Sequence, residues 1–320
     1  MKRTESQFRI SCTYSTKEST LRTAVTIGNF DAVHLGHVAL VARAREAVGK
    51  NGIVEVWSFD PSPVTILNPT FYLERLTSFG LREKLLLGAG ADKVRKIIPT
   101  QALLAQTPEE FITDVVNEVA PDYFVEGTQF VFGKGRAGTA ETLRELGKEL
   151  GFSLIELDGV EVTLADGEPI RASSSRVRSL LKEGRVEEAN SMLGRDYEVS
   201  GVVSKGDQRG RTLGIPTANL SDVTAMLPKD GIYAGTTIVD GERYIVAISV
   251  GTKPTFGENA RVLEAHIISY DGDLEHYNWP LTVTISHWIR DQKRFDSVAG
   301  LREQIEADIT VAITLIESAK

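Results

Sequence analysis

The rhythm of the apolar residues changes once along this 320-residue chain, and that change limits the folds open to it. Up to about residue 172, short apolar runs alternate with amphipathic ones. Residues 24–27, 53–59, 94–98 and 123–126 read as strands, and residues 38–48, 81–88 and 107–119 as helices. The last helix opens with Thr107 as N-cap, Pro108 at the first position and Glu110 closing a capping box. Such alternation predicts an α/β domain, a parallel sheet covered on both faces. Residues 173–193 then read as a helix broken at Gly184. Beyond Gly194 the chain becomes strand-rich, with runs at 197–204, 235–239, 243–250, 262–269 and 281–288, and Asp240-Gly241 marks a hairpin. This spacing predicts an all-β antiparallel barrel. A final helix carries Leu301, Ile305, Ile309 and Ile313 on one stripe. Two domains are therefore expected, 1–188 and 189–320.

Bulk properties narrow the function. The formal net charge of -8 argues against nucleic acid as the main partner, because phosphate backbones are bound by basic surfaces; a nucleotide needs only a local cationic pocket. A single cysteine, Cys12, excludes an intrachain disulfide and any multi-cysteine metal site. No apolar run reaches the ~18 residues of a membrane span, and the polar N-terminus lacks a signal-peptide core. A cytoplasmic protein without a membrane partner is expected.

Three constellations carry chemistry. The first is Gly28-Asn29-Phe30-Asp31 followed by His34-Leu35-Gly36-His37, which sits between a strand and a helix. Imidazoles there can donate to phosphate oxygens, and the helix N-terminus adds free N–H groups and a positive dipole end. The arrangement suits attack at the α-phosphate of ATP; taken alone, two surface histidines would fit equally well. The second runs from Gly206 to Leu220. Gly206, Gly210 and Gly214 permit close backbone approach to phosphates, while Thr217 and Asn219 offer hard oxygen ligands for Mg²⁺. A glycine-rich hairpin loop is the plainer alternative. The third is Glu264, which alternation places on one strand face with His266: either a solvated outer residue or a base aimed into the barrel mouth, ionised near neutrality with an ordinary pKa of ~4.3. Gly133-Lys134-Gly135-Arg136-Ala137-Gly138 also matches a dinucleotide-binding fingerprint, but the run before it is short, and an anion-binding loop with Lys134 and Arg136 is the better account.

Taken in order, these motifs resemble the prokaryotic bifunctional riboflavin kinase/FAD synthetase family over about residues 20 to 315. To them are added Phe59-Asp60-Pro61, Phe130-Val131-Phe132-Gly133, Ser173-Ser174-Ser175-Arg176-Val177-Arg178, Leu193-Gly194-Arg195, Gly231-Ile232-Tyr233-Ala234 and Pro254-Thr255-Phe256. The resemblance implies a Rossmann-like nucleotidyltransferase domain, then a six-stranded antiparallel barrel kinase domain with a C-terminal helix. It implies that the barrel phosphorylates riboflavin to FMN with ATP, with Glu264 taking the hydroxyl proton and Thr217 and Asn219 holding Mg²⁺-nucleotide. It implies that the first domain joins FMN to AMP from a second ATP to give FAD. His34 and His37 would bind ATP phosphates beside Gly28, Asn29, Phe30 and Asp31, and Ser173, Ser174 and Arg176 would complete that site. Arg290 is carried over as a nucleotide contact.

The chain departs from the family pattern at Ala32, usually Gly, at Ser62, usually His, at Gln129, often acidic or Asn, and at residues 273–277. The first three keep open a kinase whose N-terminal domain has lost adenylyl transfer. A flavin-binding module without catalysis, or transfer to another phosphate acceptor, are further alternatives, and the retained Glu264 speaks against the first of these. Self-association is compatible with the sequence.

Overall fold

The computed structural model describes residues 21–165, 167–205, 214–252, 261–272 and 277–318. In the first half, β1 (Thr23–Gly28), β2 (Ile53–Phe59), β3 (Lys93–Ile97), β4 (Tyr123–Gly127) and β7 (Ser153–Leu157) form one parallel sheet in the order β3-β2-β1-β4-β7. Two short hairpins, β5 (Val131–Phe132) with β6 (Gly138–Thr139) and β8 (Glu161–Thr163) with β9 (Pro169–Arg171), lie outside it. β1 and β2 are buried along most of their length, as strands covered on both faces must be. One covering layer includes α1 (Leu35–Val48), whose Val41, Ala44 and Val48 are buried with Val54 and Val56 of β2. The other includes α5 (Pro108–Val119) and α6 (Ala140–Leu150), which pack Phe111, Ile112, Val115, Leu143 and Leu146 against Val25 and Ile27. The short α2 (Pro63–Leu67), α3 (Phe79–Gly88) and the short α4 (Gln101–Leu104) complete this half. Strand order reverses direction between β1 and β4, so the carboxyl ends of these strands open the crevice where such sheets bind ligands.

The expected break at Gly184 is a real corner. α7 (Ser174–Glu183) ends on Gly184 at φ 81, and α8 (Val186–Leu193) ends on Gly194 at φ 69. Six strands then close a barrel: β10 (Tyr197–Ser204), β11 (Ala218–Ser221), β12 (Gly231–Val239), β13 (Glu242–Thr252), β14 (Arg261–Ile267) and β15 (Pro280–Arg290), in the order β10-β11-β14-β13-β12-β15. Ala218 and Asn219, to which the sequence reading gave no strand, thus lie in a strand, β11. Leu263, Ala265, Ile267, Val246, Ile248 and Val250 fill the interior, and Val177, Leu180, Leu181 and Met192 of α7 and α8 belong to the same apolar cluster. The two helices are thus packed with the barrel while α7 reaches back to the sheet half.

α9 (Val298–Ser318) lies along the barrel wall, but its buried line is Asp308, Ala312 and Ile316, one position away from the expected Leu301-Ile305-Ile309-Ile313 stripe. The cause is Asp308: its carboxylate accepts from Arg290 Nε at 2.9 Å and Nη2 at 2.6 Å, and that bidentate pair fixes the helix rotation. Among the described residues no helix is long and apolar enough to cross a membrane.

Candidate active sites

At the carboxyl end of β1 the backbone turns through three non-glycine residues in left-handed conformations, Phe30 at φ 48, Ala32 at φ 74 and Val33 at φ 46. Each is disfavoured by its Cβ, most of all the β-branched Val33, and such strain persists only where surroundings over-determine it. Asp31 does much of this work. Its Oδ1 accepts from Ala32 N (3.1 Å), Leu76 N (3.1 Å), Thr77 N (3.0 Å) and Thr77 Oγ1 (3.1 Å), and Arg178 pairs with Oδ2. The Asp31 carbonyl accepts from Ser174 Oγ at 2.6 Å. Ser174 and Arg178 are four apart on α7 and so share a face, which is why both reach the same residue.

The turn delivers His34 as the N-cap residue of α1, without using its side chain as a cap. The His34 and His37 rings stack with centroids 3.7 Å apart, and Phe30 closes against His37 at 4.9 Å. Gly36 makes the stack possible, because a Cβ there would meet the His34 ring at 3.0 Å. Both Nδ1 atoms are buried without a hydrogen-bond partner. Burial, then the charges of Arg171 and Arg195, hold the His34 pKa down at about 4. Burial also pushes His37 well below the usual range, helped by His34, Arg82 and Arg195. Two neutral imidazoles with open Nδ1 atoms, acted on by the charges of Arg171, Arg195 and Arg82 as well as of Asp31, stand at a helix N-terminus, where an anion is favoured.

On the barrel the candidate oxygens of Glu264 and Asn219 lie on the outer wall. Leu263 and Ala265 point inward, so Glu264 between them lies on the outer face, half-buried, as the first of the two readings had it. Glu264 lies directly opposite Asn219 of β11 and opposite Ser249 of β13, and Asn219 lies opposite Ser204 of β10. Facing residues in such a ladder have Cβ atoms roughly 5 Å apart. Asn219 is buried although it faces outward. Thr217 immediately precedes β11, two residues before Asn219. Glu264 lines a cavity of about 280 Å³ together with Ser249, Thr252, Val262, Asp230 and Gln292. Gln292 is held by Ser249 Oγ (3.1 Å) and the Val250 carbonyl (3.0 Å). The donor set of hydroxyl, amide and carboxylate oxygens suits Mg²⁺. Among the described residues no group of three or more His, Cys, Asp or Glu is placed to hold a metal ion.

Two spatially distinct sites, one at the end of a parallel sheet and one on a barrel wall, match a known pairing. A family described as FAD synthetase matches residues 16–173, and one described as riboflavin kinase matches residues 193–316. The chain is 35% identical to a bifunctional riboflavin kinase/FMN adenylyltransferase of Escherichia coli K12 over 289 residues, covering 89% of this chain and 90% of the relative. It is 32% identical to that of Pseudomonas fluorescens, covering 91% and 92%, and 30% identical to that of Bacillus subtilis 168, covering 93% of each. This chain belongs to the bifunctional riboflavin kinase/FMN adenylyltransferase family. A crystal structure described as a macrolide-efflux protein from Streptococcus pneumoniae superposes with a TM-score of 0.81 at 28% identity, covering 92% of this chain and 94% of that one.

Several residues expected from the family resemblance have other tasks in this structure. Asp31 lies beside the phosphate turn, but its carboxylate is engaged by backbone N–H groups and Arg178. Ser173 is the N-cap of α7, accepting from Arg176 N at 3.2 Å. Arg176 keeps a buried Nε without a partner. Asn29 is exposed, with its carbonyl accepting from Ser58 Oγ, and Gly28 abuts the Phe30 ring. Arg290 donates from Nε and Nη2 to the Asp308 carboxylate and from Nη1 to the Asp291 carbonyl. Gly214 is left-handed at φ 77, whereas Gly206 and Gly210 lie outside the described residues. The Gly133 to Gly138 stretch forms the β5–β6 hairpin with a short 3-10 turn, and its Lys134 and Arg136 are exposed. Sequence reading missed Arg82, whose buried guanidinium donates to Ser58 Oγ and the Phe59 carbonyl, and gave no role to Arg178 or Arg195. The i,i+4 spacing of Ser174 and Arg178 was the available signal; Arg82 and Arg195 had none, because each meets the turn from a distant segment.

Proposed function

We propose that the family's two activities are divided between these two sites. The chain is a transferase that phosphorylates riboflavin to FMN and adenylylates FMN to FAD. The observation that carries the division is the contrast in donors: unpartnered neutral imidazoles amid arginines at one site, an outward carboxylate and amide beside a cavity at the other.

At the barrel, Glu264 accepts the proton of the flavin's terminal hydroxyl as its oxygen attacks the γ-phosphate of ATP and ADP leaves. Phosphoryl transfer of this kind depends mostly on positioning and charge neutralisation. Thr217 and Asn219 would hold Mg²⁺, which neutralises phosphate oxygens when bound. At the turn, a phosphate oxygen of FMN attacks the α-phosphate of a second ATP. The bond to the β-phosphate bridging oxygen breaks and pyrophosphate departs. His34 and His37 each have an N–H to donate to the triphosphate, and the nearby arginines offset its charge. A cytoplasmic location belongs to this reading.

Incubating the purified chain with riboflavin, ATP and Mg²⁺ and separating the flavins by chromatography tests the whole reading. FMN and FAD are both expected, and appearance of neither would overturn it. Supplying FMN and ATP isolates the second step: release of pyrophosphate with FAD separates this reading from a kinase with an inert first domain.

A further inference from the structure

Arg195 belongs by sequence to the barrel half, two residues beyond the end of α8, yet its guanidinium lies in the phosphate turn of the sheet half. Nη2 donates to the Ala32 carbonyl at 2.5 Å and Nη1 to the Val33 carbonyl at 2.9 Å. These are two of the left-handed residues that aim His34. Next to it, Gly194 lies against Leu35, the first residue of α1: a Cβ at Gly194 would stand 2.6 Å from Leu35 Cδ2.

The mount behind Arg195 is rigid. Asn190 of α8 accepts from Tyr197 N at 2.9 Å and donates to the Ile285 carbonyl at 2.9 Å, tying the end of α8 to β10 and β15. Ser286 of β15 donates to Asp196 Oδ2 at 2.5 Å. The Tyr197 hydroxyl, fully buried, donates to the Met226 carbonyl. Residues 194–197 are thus fastened to the barrel on both sides of Arg195. The Arg195 Nε is buried without a partner, so the fork is held by its two Nη donors alone at its tip.

We propose that Arg195 is a positioning residue for adenylyl transfer, by which the barrel half holds the phosphate turn of the other half in its working shape. The inference rests on the reading that this turn binds the triphosphate. A fork is needed, because two carbonyls on successive left-handed residues point to two places that one planar guanidinium can reach together. A lysine supplies the charge without the second donor. Riboflavin phosphorylation on the barrel wall is expected to be independent of Arg195.

The test uses the full chain and both reactions. Arg195→Gln is expected to lower kcat for FAD formation from FMN and ATP at least tenfold, with KM for ATP changed less than threefold and riboflavin phosphorylation within twofold of the parent. Arg195→Lys is expected to fall between the two, restoring charge but not the paired contact. FAD formation within twofold of the parent in Arg195→Gln would overturn the proposal. So would parallel loss of both activities in Arg195→Lys, since that marks a residue that merely holds the fold. If Arg195→Gln does not fold, Arg195→Lys decides alone: selective loss of FAD formation supports the proposal, and unchanged or jointly lost activities overturn it. Absence of FAD formation in the parent chain would be a failure of the functional reading itself, recognisable before any variant is compared.

Discussion

The turn at the end of β1 is made by backbone conformation, with Phe30, Ala32 and Val33 left-handed and held by Asp31, Arg178 and Arg195. The barrel site is made by strand alternation, with Glu264, Asn219 and Ser249 set in facing positions by an ordinary antiparallel ladder. The first is strained and depends on segments far apart in sequence, from Thr77 to Arg195. The second needs only that three strands pair in register. The difference teaches where each site is fragile: the turn fails when a remote support is removed, the barrel site when its own reacting group is.

The sharpest way to break this comparison is at the reacting group. Glu264→Gln keeps the strand and its hydrogen-bonding size but cannot accept the proton, and a general base contributes about 10²–10⁴-fold. FMN formation should fall by that order while FAD formation from supplied FMN is unchanged; comparable loss of both would show that the sites are not separate.

His34→Asn should lower FAD formation on the order of 10²-fold, as loss of one charge-stabilising donor does, and spare phosphorylation of riboflavin. It also bears on stability. With the folded pKa of His34 near 4 and an unfolded value of 6.5, the unfolded chain binds the proton first as pH falls. Stability of the ligand-free protein should therefore decline from pH 6.5 towards pH 4, by roughly 3 kcal/mol for this group at 1.36 kcal/mol per unit. Urea unfolding across that range should show a shallower slope in His34→Asn, and an unaltered slope would refute the assignment.

Arg290→Gln separates docking from nucleotide binding. Leaving Asp308 buried and unpaired should cost about 3 kcal/mol of stability. KM for ATP in the kinase reaction should stay within threefold; a tenfold rise would place Arg290 in the nucleotide site.

The smallest effect is expected at Ala32. Glycine would relieve left-handed strain of about 1–2 kcal/mol but lose unfolded-state restriction of about 0.4–1 kcal/mol and a buried methyl worth about 0.8 kcal/mol. Ala32→Gly should leave stability nearly unchanged and FAD formation within twofold. A tenfold gain in FAD formation would mean that the departure from the family's usual glycine does impair the turn.

Much of the fold was legible. The capping box at Thr107 and Glu110, the strand 53–59, the strand 197–204 and the corner at Gly184 are formed where local signals placed them. α1 starts at Leu35, three residues before the apolar pattern, because the constraint on its start is the turn and not the helix face. β12 begins at Gly231 and not at 235, since pairing on both edges with β13 and β15 extends it through residues without a strong pattern of their own. The C-terminal stripe is half-buried and flanks the most buried line by one position, because the Asp308 carboxylate, which no local pattern marks, pairs with Arg290.

The sequence by itself determined the kinds of layer, the place of the histidine turn and the presence of a glutamate at mid-strand, because caps, alternation and turn residues act over a few neighbours. Only the tertiary structure decided that Glu264 faces the outer wall beside Asn219, that Arg290 of β15 pairs with Asp308 of α9, and that Arg195 crosses from the barrel half into the turn. Those outcomes depend on which buried charge finds which partner across a hundred or more residues, and a guanidinium is satisfied equally well by any carbonyl or carboxylate that packing brings within reach.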